Sequence, residues 1–509
     1  MIFLTSRAHF LKSSTIEKVF ADKPQKGVSM KLKKLAAVLL TAAMTTTMVG
    51  CSGSTDTAPT DGTDVSETSG NTEETKDTAD TGDNEGAEDV TGDTTSEPVE
   101  ITVTTTFAGE DSNAQNYKDA VAKWESETGN TVSDTSATSD ETFKTRIITD
   151  FETGSEPDVL FFFNGADAND FVNAGKVVSI DDIRAEFPDY ASNMNDDLIA
   201  ASPADGKKYA VPVNGYWEAM FVNKEVLDAA GVEMPGADYT WDQFLEDCQK
   251  IKDAGYTPIA AALGNIPHYW WEFAIFNQQT PEDHLNIPTA ADDETGAQWV
   301  EGLEDIKDIY EKGFFPDNTL SATDDETFAM FTDGKAAFLL DGSWKVGGIV
   351  GSCQSDPDDP STLDTDKLDN FDVTYFPGKG NRKTTDLIGG LSMGYYITTK
   401  AWEDPDKKAA AVSFVEHMTS DEVVPLFAQH TASALKNAPA VDETQFNALQ
   451  VKAMAMMSGV TSLTGAVQDL FNGDCRVSTF DGMPDIVVGN VSAADAVQEG
   501  IDVYKDTLE

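Results

Sequence analysis

The chain has 509 residues, with 89 acidic and 35 basic side chains and a net charge of −54. Such a polyanion is repelled by nucleic acid and by anionic lipid, so neither is expected as a partner of the folded part. Its four cysteines (Cys51, Cys248, Cys353, Cys475) and five histidines are scattered, without ligand spacing, so no metal or cofactor is expected.

Residues 1–29 fit neither a signal nor a domain and read as an upstream extension, with translation expected to start at Met30. Residues 30–50 carry Lys31, Lys33 and Lys34, then an apolar run from Leu35 to about Met44, then Met48-Val49-Gly50 before Cys51. That order is a secretory signal, and the run is far short of the ~20 residues that a spanning helix needs. The segment ending in Cys51 resembles a bacterial lipobox, with Met48 where leucine is usual. The resemblance implies that Cys51 is lipidated and becomes the mature N-terminus. Residues 51–99 contain no Phe, Trp or Tyr and hold 14 acidic residues against one lysine, Lys76. A stretch with so little apolar surface cannot offset chain entropy and is expected to be a disordered, extended tether. It suits a protein held outside the cytoplasmic membrane and reaching through a thick wall, as in a Gram-positive-type bacterium. Lipidation of Cys51 leaves three cysteines; a Cys353–Cys475 bridge is left open, and Cys248 reads as a small core residue.

Residues 100–509 exceed one ordinary core and suggest two lobes. Glu100–Phe107 alternates like a strand, and Ala114–Ser126 has helical spacing. Pro157–Phe163 reads as a strand buried on both faces, and Phe171–Val177 begins another helix. Strands alternating with helices predict an α/β chain with a mainly parallel sheet. Tyr209–Pro212 looks like a strand end and Ala219–Asn223 a strand, followed by a helix from Lys224 to Ala230. Thr240 caps a helix with Gln243 at the reciprocal position and Phe244, Leu245, Cys248 and Ile251 as its apolar stripe. Further helices are expected near 299–312, 323–332, 407–419, 421–430, 444–458 and 493–504, and a surface loop over 355–369.

The segments Lys208–Pro212, Phe221–Leu227, Ala230–Val232, Thr240–Phe244, Gly255–Ile259, Phe331–Phe338, Asp341–Trp344 and Ala410–Glu422 occur in an order and spacing that resemble a known family. It is that of the extracellular solute-binding proteins of sugar ABC importers, the group that includes maltodextrin-binding protein. The resemblance implies a two-lobed periplasmic-binding-protein-like fold with a hinge and an interlobe ligand cleft. The chain would cross near 212–215, 389–392 and 434–439. Residues 100–212 with 392–435 would form one lobe, and 213–391 with 436–509 the other. It implies a monomer that binds a mono- or oligosaccharide and hands it unchanged to ABC permease subunits.

A pyranose offers one apolar face and a hydroxyl rim, so it wants a flat aromatic and a few polar groups. Aromatics after strand ends are therefore the candidates: Tyr216 and Trp217; Trp270 and Trp271 with His268 and Asn265, one of the two tryptophans facing the cleft and the other core; and Trp344. Phe163, Asn164 and Asp167 follow the buried strand, and Gly390 lies at a crossing. Glu110, Asn113 and Glu218 are weaker candidates. Trp124, Trp241, Trp299 and Trp402 sit in helical patterns and read as structural. Met454–Met457 and Thr461-Ser462 stand where maltodextrin-type relatives carry further aromatics, which puts a linear glucan in doubt. Gly390-Leu391-Ser392-Met393-Gly394 matches the G-x-S-x-G elbow of serine hydrolases, but a strand pattern follows where a helix is required. The rival readings are a binder of peptides or other non-sugar solutes and a glycan-processing enzyme.

Overall fold

The computed structural model describes residues 97–507 apart from 110, 140, 357–358, 439–443, 445 and 472. The expectations for Met30, the signal, Cys51, nearly all of the tether and Glu110 lie outside the described residues. Ten strands are described: β1 (Glu100–Thr104), β2 (Thr131–Asp134), β3 (Val159–Phe163), β4 (Tyr216–Asn223), β5 (Thr257–Ala260), β6 (Ala336–Gly342), β7 (Phe371–Thr374), β8 (Asp386–Gly390), β9 (Met393–Ile397) and β10 (Ser462–Thr464). They form two sheets, one in the order β2-β1-β3-β9 and one in the order β10-β8-β4-β6-β5, with β7 also paired to β4. The molecule is an α/β protein of two lobes.

The first sheet is parallel except for β9, which runs antiparallel to β3. Residue alternation along β3 splits its side chains between two cores. Val159 and Phe161 join a cluster with Ile101, Val103, Tyr395 and Phe414, while Leu160 and Phe162 join one with Phe143, Phe171 and Tyr396. A run of five apolar residues therefore makes sense only as a strand covered on both faces.

The second sheet is mixed: β4 is antiparallel to β6, β7 and β8, whereas β5–β6 and β8–β10 are parallel. Its helices follow from their caps. Gln243 N donates to Thr240 Oγ1 at 3.3 Å and Thr240 N donates to Gln243 Oε1 at 2.9 Å, so the helix Trp241–Asp253 starts as its sequence dictates. Thr323 and Glu326 repeat the device ahead of the helix Asp324–Thr332.

Several expectations are corrected. The helix expected near 299 starts at Glu294, because Asp293 accepts from Gly296 N and sets the cap. The helix expected over 421–430 is only the turn Val424–Phe427, with Pro425 at its start. The loop over 355–369 includes the short helical turns Pro360–Thr362 and Thr365–Leu368, each capped by an aspartate. Cys248, Cys353 and Cys475 are buried thiols, and no bridge joins the last two.

The chain passes between the sheets at short segments. Val211 still bridges to Tyr395 beside the first sheet, and by Tyr216 the chain is in β4. β8 ends at Gly390 and β9 begins at Met393. These junctions put the ends of β3, β4, β6 and β8 close to one another, where open α/β sheets bind ligands.

Candidate functional site

β4 begins at the junction, with Tyr216 opposite Gly390 of β8. Along β4, Tyr216 and Glu218 share one face and Trp217 takes the other. Opposite Glu218 on β6 is Gly342. A Cβ on Gly342 would collide with the six-membered ring of Trp344, so the indole lies in the space that a side chain would fill, next to Glu218. Only glycine admits the ring there.

Trp344 is half-buried and caps the helix Lys345–Ser352. Its ring centroid lies 6.1 Å from Tyr216 and 5.8 Å from Tyr269, the latter on the helix His268–Phe276. His268 lies 4.1 Å from the Tyr269 ring and 6.0 Å from Phe480. Tyr216, Trp344, Tyr269 and His268 thus form a continuous, partly accessible aromatic surface. Burial holds the His268 imidazole well below its usual range, with Lys144 and Arg476 adding to the effect, so the ring is neutral.

The first lobe faces this surface with the segment after β3. Asp167 Oδ1 accepts from Arg476 Nη2 at 2.9 Å, and its other oxygen lies 3.4 Å from Lys144 Nζ; all three side chains are at most 10 % exposed. Lys144 also sits 4.5 Å above the Phe163 ring. A Cβ on Gly165 would collide with the Asp469 carbonyl. Ser112 N donates to Trp344 O at 3.3 Å. The two lobes therefore meet directly beside the aromatic surface.

Carboxyl groups crowd beneath it. Burial pushes Asp469 up to about 7, reinforced by Asp167 and opposed by Lys144 and Arg476. Burial likewise lifts Asp341 to about 7, opposed by Lys345. Glu218 is pushed well above the usual carboxylate range, first by burial and then by Glu272, Asp341 and Asp469. Glu272 accepts from Val467 N (3.0 Å) and Gln468 N (2.7 Å), and its Oε2 lies 3.2 Å from His284 Nε2. This fully buried pair fixes the segment that carries Asp469.

The sequence-derived candidates divide. Trp344, Tyr216 and His268 line the surface, and Gly390 pairs with Tyr216. Phe163 and Asp167 face it from the other lobe. Asn164 instead spends its side chain and backbone N–H on Leu391 O (3.1 Å) and Ser392 O (2.8 Å), holding the crossing. Asn265 Oδ1 accepts from Asp324 N at 3.0 Å, serving the next helix. Asn113 is buried and donates to Phe427 O.

Trp217 and the expected cleft-facing member of the Trp270 and Trp271 pair are placed differently from expectation. Trp217 is 0 % exposed, packs against Phe221 and donates to His430 O at 3.0 Å. Strand alternation allows only one of Tyr216 and Trp217 on the site face. Trp270 and Trp271 are both sealed, the first among Phe244, Phe315 and Phe376 and the second against Trp299 and Phe480. The helix turns Tyr269 toward Trp344 instead.

Lys144, Asp469 and Arg476 were not anticipated. An arginine in so acidic a chain was a usable signal; nothing in the sequence brought it to Asp167, 309 positions away. Two surface hollows, of about 480 Å³ by Trp402 and Lys408 and about 530 Å³ by Thr145 and Arg146, include none of the aromatic residues of the site.

Comparison with known proteins bears on the fold and the family. Over 155 residues the chain is 26% identical to the sn-glycerol-3-phosphate-binding periplasmic protein UgpB of Rhizobium meliloti (strain 1021), covering 30% of this chain and 35% of that one. The chain spans between 26% and 35% of the length of such curated relatives. Among solved structures, a chitin oligosaccharide binding protein superposes with a TM-score of 0.67 at 21% identity, covering 81% of this chain and 99% of the other. The maltose/maltodextrin-binding domain MalE of Bdellovibrio bacteriovorus, bound to maltotriose, gives 0.61 at 17% identity over 80% and 99%. The GacH receptor of Streptomyces glaucescens gives 0.61 at 19% identity over 81% and 99%. These likenesses establish a shared fold. The model of the bacterial extracellular solute-binding protein family matches residues 109–425, more than half of the chain, and to that family this protein belongs.

Proposed function

We propose that this protein captures a saccharide between its two lobes and delivers it, chemically unchanged, to the permease of an ABC importer. In this reading it is a monomer held at the outer face of the cytoplasmic membrane by lipid on Cys51. Residues 100–212 with 392–435 act as one jaw, and 213–391 with 436–509 as the other. The observation that carries the reading is the accessible surface of Tyr216, Trp344, Tyr269 and His268 at the junction, set against tryptophans elsewhere in that lobe that are sealed. Half-covering one sugar ring buries ~50–100 Å² of apolar area, worth about 1–3 kcal/mol. Micromolar affinity needs about 8 kcal/mol, within reach of two stacked rings and several hydrogen bonds.

The solved neighbours include receptors described as binding chitin oligosaccharide, maltotriose and acarbose, which favours a saccharide. A phosphate ester of the kind named for UgpB is disfavoured: Lys144 and Arg476 are both engaged by Asp167, and the remaining neighbours are carboxyls. Trp344 supplies a reporter. A panel of mono- and oligosaccharides is added to the protein while indole fluorescence and thermal midpoint are followed, and the bound sugar is then recovered for mass determination. A shift with at least one saccharide, recovered intact, is expected. No response across the panel refutes saccharide capture, and a cleaved product refutes delivery unchanged.

A further inference from the structure

Glu218 is 1 % exposed, its Oε2 finds no hydrogen-bond partner, and it lies beside the Trp344 ring on the site face of β4. A buried carboxyl left unsatisfied is costly, because it has lost its water without gaining a partner. Neighbouring groups make matters worse rather than better. Glu272 approaches from the helix His268–Phe276, Asp341 from β6 and Asp469 from the segment after β10, while Tyr216 shares its strand. Each nearby cation contacts another carboxylate: Lys144 and Arg476 hold Asp167, Lys345 holds Asp324 at 2.6 Å, and His284 lies against Glu272, while Lys144 and Arg476 also oppose the charge of Asp469 and Lys345 that of Asp341. The site thus has a surplus of carboxyl groups under a set of aromatic faces. Both features attract a cation, the first by Coulomb attraction in a site shielded from water and the second through the ring quadrupoles.

We infer that Glu218 sets the specificity of the site, serving as counter-ion to a protonated amino group on the bound saccharide, so that the ligand class is an amino sugar with a free amine. This rests on the saccharide reading above. On binding, the ammonium takes the place of the proton on the Glu218 carboxyl, which leaves to solvent; the ammonium keeps its own proton. A neutral saccharide offers only hydroxyls to that carboxyl and leaves the surrounding acidity uncompensated.

The test uses calorimetry on the mature protein with glucosamine, galactosamine and the β-1,4-linked glucosamine disaccharide. Their counterparts are glucose, galactose, cellobiose and the N-acetylated forms. At least one amine is expected to bind ten-fold or more tighter than its hydroxyl and N-acetyl counterparts. Titrations in two buffers of different ionisation enthalpy should show release of about one proton per site. Glu218→Gln, which keeps the shape and removes the charge, should bring the amine-to-hydroxyl ratio to within about two-fold of unity; its thermal midpoint reports whether it folds. Equal binding of amine and hydroxyl forms, no proton release, or a preference that survives Glu218→Gln overturns the assignment. Binding of neutral sugars alone would overturn it and leave saccharide capture standing, whereas binding of none would remove both.

Discussion

Trp344 bears most directly on how ligand is held. Its indole occupies the space over Gly342 and joins the rings of Tyr216 and Tyr269 into one surface. Replacing it by alanine removes the middle of that surface. If a ligand ring loses ~50–100 Å² of apolar contact at ~25 cal/mol per Å², the loss is about 1.3–2.5 kcal/mol. That is roughly an 8- to 70-fold rise in Kd. Trp344→Phe keeps a flat ring and should recover most of the affinity. The assay is calorimetric titration with the tightest-binding saccharide of the panel, alongside thermal melts. Because the ring is half-buried at an edge rather than sealed in a core, both variants should stay folded. Wild-type affinity in Trp344→Ala, or a protein that no longer folds, would refute the placement of this ring as a ligand contact.

Trp271→Ala should act oppositely. It removes a fully buried ring packed on Trp299 and Phe480 and should cost about 3–5 kcal/mol of stability, read by chemical denaturation. Gly165→Ala should drive the backbone after β3 away from the Asp469 carbonyl and weaken ligand binding more than ten-fold, with only a small change in thermal midpoint, since the clash exists only where the lobes meet. Asp293 is raised by partial burial but lowered more by donors from Gly296, Thr289 and Ala290, which leave it at about 2 against an ordinary 3.8. A depressed carboxylate contributes stability above its unfolded value and loses it as pH falls from about 4 toward 2. Asp293→Ala should therefore lower stability by about 0.5–2 kcal/mol at neutral pH and by less at pH 2, measured by denaturation across that window.

Local rules reached a long way along this chain. Five apolar residues after Pro157-Asp158 could only be a strand covered on both faces, and Thr240 with Gln243 could only begin a helix. Such features depend on neighbours within a few positions, so they survive without knowledge of the fold. The strand pattern after Gly394 argued against the hydrolase elbow, and β9 covers Met393–Ile397.

Which aromatic ring faces the site was not local. The sequence put Tyr216 and Trp217 ahead of a strand starting at Ala219 and offered both; β4 instead starts at Tyr216, so alternation sends the two to opposite faces, and the face that meets the cleft is set by how β6 and β8 pair with it. The same holds for Tyr269 against Trp270 and Trp271, whose phase on a short helix is fixed by packing on Phe376 and Phe480. The meeting of Asp167 with Arg476, and the crowding of Glu272, Asp341 and Asp469 around Glu218, join segments from tens to hundreds of positions apart. Composition, capping and alternation are short-range and written in the chain; the charge balance of a buried site is a sum over distant residues, and only the assembled lobes perform it.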